Sequence, residues 1–180
     1  MAILEGPLRE QAEAIVTRYP ESRSALLPLL YLAQSAEGRL TRDGMREVGQ
    51  LLGLTTAEVE AVATFYTMYK REPTGRWLVS VCTNVSCALL GAREVHEAAR
   101  RAAEGDEDVE VEEVECLGAC DAAPVVQVNY CNYDRVSDEG VSELIGSLRA
   151  GEVPPPARGP KPAPHDETSR ILAGLGDDRE

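Results

Sequence analysis

No apolar run in these 180 residues approaches the roughly 20 that a membrane-spanning helix requires. The opening Met1-Ala-Ile-Leu-Glu-Gly-Pro7 has neither a basic leader nor the apolar core of a signal peptide. A cytoplasmic location without membrane insertion is therefore expected. Basic side chains are scarce: 18 Lys and Arg stand against 31 Asp and Glu, a net charge of −13. Such a balance repels phosphate backbones and anionic lipid, so nucleic acid is not an expected partner. No G-x-G-x-x-G follows a strand, and Gly174-Leu-Gly176 lacks the third glycine. The chain by itself is expected to bind neither NADH nor flavin. No internal repeat is present.

What is there falls into three stretches. Residues 1–72 read as short amphipathic helices. The first, about Leu8 to Tyr19, stops at Pro20 and places Leu8, Ala12, Ile15 and Val16 at helical spacing. The second runs from about Ser24 to Gln34 and is leucine-rich; Pro28 requires that it begin near Ser24 or kink. Thr41 can cap a third helix that Gly53 closes. Thr55 with Glu58 makes a capping box for a fourth, on which Val59, Val62, Tyr66 and Tyr69 recur. Phe65, Tyr66 and Tyr69 form an aromatic stripe that at this spacing reads more readily as core than as a docking face. A small helical bundle is expected.

After Pro73-Thr-Gly75 the periodicity changes. Trp77 to Val81 reads as a buried strand ending at Cys82, Ala92 to Ala103 as a helix, and Val109, Val111 and Val114 as a strand with one wet face. Pro124 to Val128 is a further strand, and Ser137 caps a helix through Leu148. Residues 73–150 are thus a small α/β domain, which makes the whole an α+β chain in two parts. Residues 151–180 hold six of the eleven prolines and are expected to be a flexible, largely irregular tail, with a weak terminal helix at most around Ile171, Leu172 and Leu175.

Four of the five cysteines form two pairs at strand ends. Four residues separate Cys82 from Cys87, three separate Cys116 from Cys120, and twenty-eight lie between the pairs. Gly118 supplies the freedom that a Cys-Leu-Gly-Ala-Cys turn needs. Four thiolates suit a zinc ion or an iron-sulfur cluster. Structural zinc commonly uses a knuckle of two intervening residues, whereas wider loops suit a cluster whose two irons each take two thiolates; both readings stay open, with a dithiol enzyme disfavoured by the absence of C-x-x-C. A Rieske centre would need two histidines, and the two available, His96 and His165, lie outside the cysteine loops. Cys131 stands apart and reads as a free thiol. Glu104 to Glu115 holds eight acids in twelve residues, readable as a solvated strand face or as a low-potential environment for a cluster.

Cys82-Thr-Asn-Val-Ser-Cys87, Glu115-Cys-Leu-Gly-Ala-Cys120 and Ala123-Pro-Val-Val-Gln-Val-Asn129 resemble the 24 kDa iron-sulfur subunit family of respiratory NADH:quinone oxidoreductase, complex I. Ala61-Val-Ala-Thr-Phe-Tyr-Thr-Met-Tyr69 and Tyr19-Pro20 are similar too, and the likeness covers about residues 10 to 150. The resemblance implies a helical N-terminal domain and a thioredoxin-like ferredoxin domain with one 2Fe-2S cluster on Cys82, Cys87, Cys116 and Cys120. It also implies an electron-transfer subunit that exchanges single electrons with the FMN of a neighbouring NADH-binding subunit, beside a larger iron-sulfur subunit, in the peripheral arm on the cytoplasmic face. Similar subunits occur in NAD-dependent formate dehydrogenases and NAD-reducing hydrogenases, and a zinc interaction module held by the four cysteines is the alternative of another class. Tyr130-Cys-Asn-Tyr133 and the Pro-rich extension are less typical of the family.

Overall fold

Polar caps and apolar stripes set the helices of the first half in the computed structural model, which describes residues 3–176. The described residues fall into two units: one runs up to Pro73 and resumes at Asp166, and the other is Thr74–His165.

In the first unit α1 spans Pro7–Val16, a 3-10 turn Ser22–Ala25 leads into α2 at Leu26–Glu37, and α3 and α4 span Arg42–Leu52 and Thr56–Phe65. Pro28 is the third residue of α2, where its missing N–H is one of the four that any helix leaves unbonded, so no kink follows. The Thr41 hydroxyl accepts from the Gly44 amide at 3.1 Å, and Gly53 closes α3 at φ 70°. Thr55 and Glu58 form the reciprocal capping box, which contributes about 1 kcal/mol. The core beneath is Ile15, Leu29, Leu30, Leu32, Val48 and Val59.

The aromatic stripe does not pack as one face. Helix α4 ends at Phe65, and Tyr66 is already extended. Phe65 is 77% exposed whereas Tyr69 is 4% exposed and donates its hydroxyl to the Leu27 carbonyl at 2.9 Å. Helical spacing cannot bring residues onto one face past the point where the helix stops.

The second unit is a four-stranded mixed sheet in the order β2-β1-β3-β4. Strands β1 (Trp77–Cys82) and β2 (Val109–Val114) are parallel; β3 (Val126–Val128) and β4 (Cys131–Tyr133) extend the sheet antiparallel from β1. Parallel neighbours need a crossover, and α5 (Val85–Leu89) and α6 (Ala92–Ala102) supply it. Helix α7 (Asp138–Arg149) starts where the Ser137 hydroxyl accepts from Gly140 at 3.0 Å. Trp77, Val79 and Val81 from one side of β1 share a core with Val95, Ala98 and Ala99 of α6 and with Val141, Leu144, Ile145 and Leu148 of α7.

Two elements go beyond the expected β-α-β-β-α order. Strand β4 follows a two-residue turn in which Asn129 and Tyr130 both have positive φ, 44° and 69°. That is the backbone signature of a type I′ hairpin, but tyrosine is a poor indicator of it. Asn129 compensates through its side chain, accepting from Leu78 N at 2.8 Å and donating to the Arg76 and Ala163 carbonyls. The sheet therefore continues past Val128, and Cys131 belongs to its edge strand instead of lying beyond it. The other addition is α5, too short to carry a periodicity.

Residues 151–176 also differ from the expected irregular tail, whose last four residues, 177–180, lie outside the described ones. The proline-rich part lacks regular structure up to Pro164, yet it hydrogen-bonds through carbonyls, which proline retains: Pro154 O accepts from Tyr133 Oη at 2.6 Å and Ala163 O from Asn129. Helix α8 then spans His165–Leu172. Ser169 and Ala173 are buried in the first unit, where Ser169 meets the buried Gln34 amide at 3.1 Å. Among the described residues no helix is long and apolar enough to cross a membrane.

Candidate metal centre

The pairing register of β1 and β2 decides where the cysteines meet. Cys82 stands opposite Val114 in the parallel ladder, and Thr83 N continues that ladder to Val114 O at 3.2 Å. The segment carrying Cys116 therefore leaves the sheet beside the segment carrying Cys87. Cys82 is the last residue of β1, its amide bonded to Val125 O at 3.1 Å. Cys87 is carried on α5, not in a loop as the strand-end position had suggested. Asn84 caps that helix by accepting from Val85 N at 2.8 Å.

The second pair is built by a turn. Gly118, at φ 74°, bends the chain so that its amide donates to Cys116 Sγ at 3.4 Å, and Cys116 and Cys120 bring their sulfurs to 3.6 Å. Two ligands of one tetrahedral metal with bonds of about 2.3 Å stand about 3.8 Å apart, so this spacing suits a shared metal ion. Cys120 opens a 3-10 turn, Cys120–Ala122, which ends against a cis Ala123–Pro124 bond before β3.

The two pairs differ in surroundings. Cys82 and Cys87 are buried in a small satellite core with Ala92, Ala119, Ala123 and Val125, while Cys116 and Cys120 are exposed. Burial pushes the Cys87 thiol up, the Cys82 and Cys120 sulfurs push it the same way, and a hydrogen bond from the Val125 backbone opposes them. Cys120 is raised chiefly by the Cys116 sulfur, with Cys82 adding to it and a hydrogen bond from the Ser86 side chain opposing. Each pair thus lies within the electrostatic reach of the other. Four such sulfurs repel one another as thiolates, and only a cationic centre placed among them reverses that sign. The donor set fits a sulfur-ligated iron cluster on this ground. The grouping is pairwise: among the described residues no three Cys, His, Asp or Glu side chains are gathered around one point as a single-ion site.

Of the remaining residues singled out in the sequence, Cys131 is half-buried in β4, and its thiol is raised by burial. His165 is buried beside Thr74, its Nδ1 3.0 Å from the Thr74 hydroxyl. His96 lies on α6. None of the three is brought to the cysteine pairs. The acidic stretch divides by strand parity and position. Glu112 accepts from the buried Ser80 hydroxyl at 2.7 Å, Glu113 from Thr83 at 2.6 Å and Glu115 from the Asn84 side chain at 2.7 Å. Three of these acids therefore hydrogen-bond β1 and its extension, while Glu113 and Glu115 remain exposed as a solvated strand face would have them. Sequence reasoning missed Asn84, Ser86 and Glu115. An asparagine directly before Val-Ser-Cys-Ala-Leu is a cap signal that could have found the first.

Comparison with known proteins bears on this site as a whole. A family model for thioredoxin-like 2Fe-2S ferredoxins matches residues 12–149. An NADH-quinone oxidoreductase subunit of Mycobacterium tuberculosis is 45% identical over 179 residues, covering 96% of this chain and 71% of its own. The NADH-quinone oxidoreductase subunit 2 of Thermus thermophilus is 37% identical over 150 residues, covering 78% of this chain and 83% of its own. Among solved structures, an NAD+-reducing NiFe-hydrogenase in its air-oxidised state superposes with TM-score 0.62 at 22% identity, over 71% of this chain and 23% of that one, a likeness of fold. With the matched region holding both cysteine pairs and nearly the whole length aligned to the mycobacterial protein, the chain belongs to the thioredoxin-like 2Fe-2S ferredoxin family.

Proposed function

We propose that this chain is the small iron-sulfur subunit of an NADH:quinone oxidoreductase, in which Cys82, Cys87, Cys116 and Cys120 hold one 2Fe-2S cluster that passes single electrons. The observation that supports this most is the placement of two cysteine pairs at and just beyond the ends of adjacent parallel strands, in a chain 45% identical to a subunit of the mycobacterial NADH-quinone oxidoreductase. A 2Fe-2S centre supplies one-electron transfer without bond breaking, and the protein sets how readily it does so.

The chain's own contributions are positional and electrostatic. β1 and α5 hold Cys82 and Cys87 within the satellite core, which keeps water from that side. The Gly118 amide donates to the Cys116 sulfur, and such a hydrogen bond favours the more negative, reduced state. The exposed Cys116 and Cys120 leave an edge through which a redox partner can approach. That partner is the FMN- and NADH-binding subunit, with a larger iron-sulfur subunit alongside, on the cytoplasmic face of a membrane-bound complex. The partner brings the hydride chemistry for which this chain has no nucleotide fingerprint.

Anaerobic purification of the full chain, with iron and acid-labile sulfide assays and EPR of the dithionite-reduced sample, tests the reading. Iron and sulfide in equal amounts with a signal on one-electron reduction are expected. A colourless protein that releases stoichiometric zinc and no sulfide overturns it.

A further inference from the structure

The two cysteine pairs are separated by 28 residues in sequence, yet their segments are tied to each other by side chains as well as by the sheet. Three bonds cross between them in succession. Thr83 N bonds to Val114 O at 3.2 Å, the Thr83 hydroxyl donates to Glu113 Oε1 at 2.6 Å, and Asn84 Nδ2 donates to Glu115 Oε2 at 2.7 Å. The last lies beyond the end of both strands, where no backbone ladder remains. Asn84 is bifunctional there. Its Oδ1 caps α5, the helix that carries Cys87, while its Nδ2 grips the carboxylate of the residue directly before Cys116.

We propose that Asn84 and Glu115 are positioning residues: their hydrogen bond clasps α5 to the Cys116 segment and thereby holds the gap between the two cysteine pairs. The proposal rests on the four cysteines being the ligands. The physical reason for a clasp at this point is that a rigid diiron core tolerates little variation in the separation of its ligand pairs, while the pairs are carried on a five-residue helix and a glycine turn that lie past the ends of the paired strands.

Full-length variants, purified anaerobically with their clusters, separate the clasp from its two simpler alternatives. Glu115→Ala removes acceptor and charge; Glu115→Gln removes the charge and keeps an acceptor for Asn84. Asn84→Asp keeps the helix cap but replaces the donor by a second carboxylate facing Glu115. The readouts are the rate of sulfide release to a chelator, the EPR line shape of the reduced cluster and circular dichroism as a check on folding. Glu115→Ala and Asn84→Asp are expected to release sulfide roughly tenfold faster than the parent, the low end of what outer-sphere partners of metal ligands contribute, and to share a changed EPR line shape. Glu115→Gln is expected to behave as the parent in both. The double variant Asn84→Asp/Glu115→Ala should be no worse than either single one, because the bond can be lost only once.

Parent-like release and line shape in Glu115→Ala and Asn84→Asp would overturn the clasp while leaving the ligand reading intact. So would Glu115→Gln behaving as Glu115→Ala, since charge alone would then be the cause. A parent protein that holds no sulfide would remove the ligand reading and the clasp together.

Discussion

The two cysteine pairs are chemically alike and structurally opposite. Cys82 and Cys87 are delivered by a strand buried at every position and by a capped helix, and their side chains lie in a closed apolar cluster. Cys116 and Cys120 are delivered by a glycine turn, and their sulfurs face solvent. The difference shows how one centre can be anchored and reachable at once. The buried pair contributes to the fold before any metal arrives; the exposed pair contributes little to the fold and forms the accessible edge.

Alanine at Cys87 and at Cys116 is the sharpest way to break that contrast. Both substitutions are expected to abolish cluster retention, seen as loss of visible absorbance and labile sulfide. In the cluster-free protein, urea denaturation should find Cys87→Ala less stable by roughly 1 kcal/mol, the scale of a small core truncation, and Cys116→Ala unchanged within about 0.5 kcal/mol. Equal losses at the two sites would erase the distinction.

Gly118→Val acts on the turn alone. A Cβ there meets nothing within 4 Å, so the cost is the left-handed backbone and not a clash. About 1–2 kcal/mol is expected, confined to the second pair: amide exchange should quicken around Cys116 and Cys120 and stay unchanged along β1.

The smallest effect concerns how β2 begins. The Arg149 side chain hydrogen-bonds Asp106 and holds its carboxyl below the usual range. A carboxyl lower in the folded than in the unfolded state contributes stability that is complete above the unfolded pKa and is lost as pH falls through the folded one. Stability of the cluster-free chain should therefore fall on acidification, and Arg149→Leu should flatten that limb by less than about 1 kcal/mol. The loss should register in β2, which leads to Cys116, before it registers in β1. A pH profile identical in the variant would remove this tie from the account.

Much of the fold was legible because its signals are local. Thr41, Gly53, Thr55 with Glu58, and Ser137 each act on backbone groups within a few residues, so reading them requires no knowledge of the rest of the chain. The apolar run Trp77–Cys82 was readable as buried for the same reason. The misses are of another kind. Phe65 carries a core-type side chain on a helical spacing, but α4 stops beneath it. Tyr130 sits in a hairpin turn that is stabilised from outside by Asn129 reaching Leu78, Arg76 and Ala163. Ala173, directly after helix α8, follows a proline-rich stretch and becomes part of a core whose other buried residues lie more than a hundred positions earlier.

The same division holds at the centre itself. Residue type and spacing alone determined that four thiols come in two pairs and that a glycine lets the second pair turn back on itself, because sulfur chemistry and backbone freedom are properties of the residues. Only the tertiary structure decided that one pair is buried and the other exposed, and that Asn84 meets Glu115. Those facts depend on the register of two parallel strands, Cys82 against Val114, and register is settled by the packing of the whole sheet against its helices.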